Sequence, residues 1–77
     1  MTDVTLDVRP ILARGEEPFD EIMSAVSALR DGERLLLIAS FEPKPLFAVM
    51  ERKGFTNECR RVGPDEYHVL FARPWRM

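Results

Sequence analysis

The chain has 77 residues, a formal charge of −2 and a pI near 5.3, with 45% hydrophobic and 31% charged residues. That length makes one domain, residues 1–77, which can bury only ~60% of the surface its unfolded chain exposes. The mixture is too apolar for disorder and too acidic for broad attraction to nucleic acid or anionic lipid. The longest apolar run, Leu35 to Ala39, is too short to cross a bilayer, and the beginning of the chain has neither a basic region nor an apolar signal core, so a cytoplasmic location is expected. A single cysteine, Cys59, excludes an internal disulfide and a Cys-based zinc cage.

Val4-Thr5-Leu6-Asp7-Val8 alternates and reads as a first strand with one buried face, ended by Arg9-Pro10. Ile11 to Glu17 reads as a connecting loop, in which Gly15 stands where a positive φ is needed. From Pro18 a helix is expected, because Phe19, Ile22, Met23, Val26 and Leu29 form one apolar stripe. Pro18 at its start and Asp20 and Glu21 in its first turn suit the helix dipole, and Arg30-Asp31-Gly32 gives a stop signal.

Arg34 to Ser40, RLLLIAS, is apolar without alternation and reads as a central strand buried on both faces, parallel to the first. Phe41-Glu42-Pro43-Lys44-Pro45 turns into a second helix, whose short stripe is Leu46, Val49 and Met50 and whose end is Lys53-Gly54. Phe55 to Val62 and Glu66 to Ala72 are strand-like and are joined by Gly63-Pro64-Asp65, which suggests a hairpin with a loop longer than two residues. The tail, residues 73–77, cannot continue a central strand because Pro74 has no N–H to donate.

The order β-α-β-α-β-β predicts an α+β, two-layer α/β sandwich: a four-stranded mixed sheet with two helices on one face and a core between about residues 4 and 72. The other face is expected to be apolar and open around Leu70. Either Trp75 and Met77 fold back over it, or it docks a second copy or another protein.

The strand Leu6-Asp7-Val8-Arg9, the Glu17-Pro18 start of the first long helix, and Glu42-Pro43-Lys44-Pro45-Leu46 before the second together resemble the SirA/TusA-like superfamily, specifically an uncharacterised branch of it. The likeness runs from about Val4 to Ala72. In the superfamily's sulfur carriers the first helix begins Cys-Pro-x-Pro and the cysteine carries a persulfide. The matching stretch here is Gly15-Glu16-Glu17-Pro18, which has no thiol, so sulfur transfer from that position is chemically excluded. Many relatives in the uncharacterised branch carry a histidine before the second helix's Glu/Asp-Pro motif, and here that place is Phe41.

No catalytic constellation emerges. Cys59 lies on a strand, where cysteine is usually a small buried hydrophobe, and its redox use is the alternative reading. His68 has neither metal co-ligands nor an orienting partner at a suggestive spacing, and Ser24, Ser27 and Ser40 lack a nucleophile elbow. Glu16, Glu17, Asp20 and Glu21 complement the helix dipole, with hard-cation binding as the less favoured reading. Arg9, Arg14 and Lys44, with Gly15 beside them, lie at the starts of two helices at the same end of the sheet, which points to a small anionic ligand.

The residues therefore favour a non-catalytic binding or interaction module without cofactor or metal. It would work through the helix-start rim or the open sheet face. A sulfur-relay or redox protein using Cys59 is the alternative, and an RNA-binding module a weaker one. A carrier should lose activity with Cys59→Ser, a docking module should lose self-association or partner capture with Leu70→Glu, and RNA binding should fall steeply with salt.

Overall fold

The computed structural model describes residues 3–73. Seven elements follow in order: β1 (Asp3–Asp7), α1 (Arg9–Ala13), α2 (Phe19–Ala28), β2 (Arg34–Ala39), α3 (Lys44–Arg52), β3 (Thr56–Gly63) and β4 (Glu66–Ala72). The strands make one mixed sheet in the order β1-β2-β4-β3, with β1 parallel to β2 and both remaining pairings antiparallel. It is the α+β sandwich expected from the sequence, with one helix more.

Strand pairing sorts the side chains onto two faces. Val4 and Leu6 stand beside Leu35 and Leu37, which face Phe71 and Val69 across β4. These residues, with Val8 and Ala39, meet Ile22 and Val26 of α2 and Leu46 and Met50 of α3 in a single core. The ring of Phe47 packs edge-on against Phe71 at 6.2 Å. The opposite face carries Leu36, Ile38, His68 and Leu70, all half-buried. β2 is thus central but buried on one side only, so its unbroken apolar run reflects an apolar outer face. Trp75 and Met77, the residues expected to cover or extend that face, lie outside the described residues.

Three local features differ from the sequence reading. The segment read as a loop contains α1, which ends in a Schellman arrangement: Glu16 N–H donates to Ile11 O at 3.1 Å and Gly15 N–H to Leu12 O at 3.0 Å, with Gly15 at φ 75°. Gly15 is therefore the residue that ends α1, and its positive φ belongs to that stop. Second, α2 ends at Ala28 with Leu29 already extended, and Arg30 to Glu33 form a separate turn closed by Glu33 N–H to Arg30 O at 3.0 Å. Third, the β3–β4 hairpin turns on Pro64-Asp65 alone, because the extra residue is taken up as a register irregularity between Arg61 and Gly63.

The end of α3 follows the expected pattern. Phe55 N–H donates to Met50 O at 2.9 Å, Gly54 N–H donates to Glu51 O at 3.0 Å, and Gly54 has φ 88°. The two outer residues of this motif, Met50 and Phe55, are both buried. Gly54→Ala should cost about 1–2 kcal/mol by forcing a Cβ into the left-handed region. Met50→Ala should cost about 2–5 kcal/mol by opening a cavity under α3. Both are read as a lower urea midpoint with an unchanged slope.

Candidate functional site

α2 and α3 both begin beyond the carboxyl ends of the parallel strands, and a cleft of about 640 Å³ opens between their first turns. It is backed by the buried core side chains Val8, Leu37, Ala39, Ile22 and Leu46, and Leu12 and Val49 are half-buried on its walls. Prolines Pro18, Pro43 and Pro45 form its shoulders, and the rings of Phe19 and Phe41 stand at it with 42% and 51% of their surfaces exposed. Phe19 was expected in the core as the first member of the α2 stripe. It lies one turn too early to reach the sheet, so only Ile22, Met23, Val26 and Leu29 complete that packing.

Glu16, Glu17 and Asp20 also line the cleft, and among the described residues no lysine or arginine does. The four residues read as an anion site are placed otherwise. Arg9 reaches back over the end of β1, where its guanidinium forms a fork with the Asp7 carboxylate at 3.0 and 2.8 Å and also meets Glu66 at 3.2 Å. Arg14 pairs with Glu16 at 2.9 Å, and Lys44 stands 3.9 Å from Glu42. Gly15 ends α1 and has no atom within 4 Å of where a Cβ would stand. Each cation already has a carboxylate, and the three do not converge on one point of the cleft. Among the described residues, no group of three or more His, Cys, Asp or Glu is arranged to hold a metal ion.

The backbone at the start of α3 offers little to an anion either. Lys44 N–H donates to Glu42 O at 2.9 Å, Leu46 N–H donates to Pro43 O at 3.0 Å, and Pro45 between them has no N–H. The donors that usually make a helix start attractive to phosphate are used or missing.

On the other face, Glu66 joins Arg9 to His68, whose Nε2 lies 2.7 Å from Glu66 Oε2. Asp7, Arg9, Glu66 and His68 thus form a chain of charged and polar groups from β1 to β4. The partner of His68 is two residues away on its own strand, a spacing that puts both on one face and was readable in the sequence. Leu70 stands on this face beside Leu36.

Cys59 faces the helices across from Val69 and packs against the core. Burial pushes its thiol up, with the Glu42 carboxylate adding in the same direction. A nucleophilic thiol needs the opposite shift.

The sequence from residue 5 to residue 73 matches the model of a family described as "Uncharacterized conserved protein (DUF2249)". The chain belongs to this family. The match spans all of α1 to β4 and so includes the cleft and both of its helices. No curated protein and no solved structure matches the chain. No helix among the described residues is long and apolar enough to cross a membrane.

The hydrogen bond from the Arg9 guanidinium, ahead of the smaller backbone and charge effects, holds the Asp7 carboxyl below its ordinary value. Because the folded pKa is the lower one, the stabilisation is present above the unfolded pKa and lost as pH falls through the folded value. Asp7→Asn should therefore lower the thermal midpoint at neutral pH, and the gap to the parent chain should close below pH ~4 as the carboxyl protonates. A gap that stays constant down to acid would show that the pair contributes through shape alone.

Proposed function

We propose that the chain is a non-catalytic binding domain related to the SirA/TusA-like superfamily, and that it works through the cleft between the starts of α2 and α3. One observation carries the reading: a cleft whose accessible apolar lining is Leu12, Phe19, Phe41, Pro43, Pro45 and Val49 lies at the carboxyl ends of two parallel strands, where open α/β sheets commonly place ligands. Its volume is that of a small-molecule site. The likeness to the superfamily rests on the β-α-β-α-β-β order read from the sequence and on the two X-Pro helix starts, both of which border this cleft. A small anionic ligand at Arg9, Arg14, Gly15 and Lys44 has less support, since every cation there is matched by a carboxylate. A sulfur-relay role for Cys59 is opposed by the raised thiol.

The second reading is docking of a protein partner or a second copy on the open sheet face. It is favoured by the half-buried row of Leu36, Ile38 and Leu70.

The test of the cleft is a titration of the uniformly ¹⁵N-labelled chain with 2-phenylethanol, a neutral aromatic probe. Saturable shifts should gather at residues 17–22 and 41–49, and Phe41→Ala, a change at an exposed ring, should weaken them several-fold. Shifts scattered over the sheet face, or unchanged by Phe41→Ala, would overturn the cleft as the working site. For the second reading, sedimentation should show self-association that Leu70→Glu abolishes.

A further inference from the structure

The mouth of the cleft differs in chemistry from its walls. Phe19 and Phe41 are two of the three large hydrophobic side chains that stand exposed among the described residues, and both are at this one place. Glu16, Glu17 and Asp20 share the mouth with them. Arg14 answers Glu16, while Glu17 and Asp20 form no ion pair among the described residues. The side chains of the mouth therefore disfavour phosphates and carboxylates, a preference that the uncapped first turn of α2 offsets only in part, since a helix N-terminus carries about half a positive charge.

We propose that the cleft binds a small organic cation, a primary amine or guanidine carried on an apolar body. This rests on the reading of the cleft as the ligand site and adds the sign of the ligand's charge. The apolar body lies against the accessible side chains of Leu12, Pro45 and Val49, where each buried CH₂ contributes. The cationic head stays at the mouth, among the carboxylates of Glu17 and Asp20 and the faces of two aromatic rings, which attract cations through their quadrupoles. No basic side chain of the described residues lines the cleft to receive an anion. A bare metal ion fits no better, because among the described residues no group of three His, Cys, Asp or Glu is arranged to hold one.

The experiment compares three probes of nearly the same shape on the labelled full chain at neutral pH: 2-phenylethylamine, 2-phenylethanol and 3-phenylpropionate. The amine should bind about tenfold tighter than the alcohol, as charge-assisted contacts are stronger than neutral ones, and its advantage should shrink with added salt. The propionate should bind more weakly than the alcohol. In the Glu17→Gln, Asp20→Asn double variant, whose spectrum will report an intact fold, the amine should bind no better than the alcohol. If the alcohol and amine bind the cleft equally in the parent chain, the charge preference is overturned while the cleft remains a site. If the double variant keeps the amine's full advantage, the assignment to these two carboxylates is overturned. If no probe gives saturable shifts in the cleft, this proposal and the reading it rests on both fail.

Discussion

The register of β2 is the constraint on which everything else depends. Its own sequence cannot set that register, because Leu35-Leu36-Leu37-Ile38 looks the same after a slip of one residue, and such a slip would exchange the two faces. The neighbours decide it. Asp3 stands directly across from Arg34 and holds it through a fork of 2.7 and 3.0 Å, so a slip would send Arg34 to the face opposite its partner. At the other end of the sheet, Arg9 links Asp7 of β1 to Glu66 of β4 across β2. Exposed pairs of this kind contribute little to stability. Their value here is to make the one correct alignment distinguishable, while Leu35, Leu37 and Val69 on the helix face supply the burial.

That alignment also makes the cleft. With Leu37 and Ala39 turned toward the helices, the carboxyl end of β2 becomes its apolar backing, and α2 and α3 start on either side of it. Proline marks both starts. Pro18 and Pro43 stand at the N-caps, and Pro45 sits in the first turn of α3, where it removes one backbone donor from the rim.

The parts of the fold legible in the sequence are those with enough residues to show a period. α2 and α3 carry apolar stripes, β1 alternates, and the hairpin is marked by Gly63-Pro64-Asp65. α1 was missed because five residues make little more than one turn, too short for periodicity. Its marks are Pro10 near the start and Gly15 after the end, and without a stripe between them they read as loop punctuation. The insertion of β4 between β2 and β3 was equally hidden, since strand order depends on contacts distant in sequence. Residues 63–65 suggested a longer loop because the sequence does not say whether an extra residue widens a turn or bulges a strand.

The place of the cleft was legible in the sequence, and the local pairing of the cations around it was not. Counting basic residues near two helix starts selects Arg9, Arg14 and Lys44, but each has a carboxylate two positions away in the chain: Asp7, Glu16 and Glu42. Groups at that spacing across a turn find each other first, and a cation already held in a local pair offers little to a ligand. The opposite holds for Glu17 and Asp20, which face the cleft from the proline-marked start of α2, with no basic residue among the described side chains that line it. The same start strands Phe19 outside the core, and Phe41 lines the cleft as a second exposed ring. The face of such a ring attracts positive charge without needing a proton. Unanswered carboxylates and exposed aromatic faces at one mouth make the same electrostatic demand on whatever occupies it, and the apolar walls beneath them demand that the charge be carried on hydrocarbon.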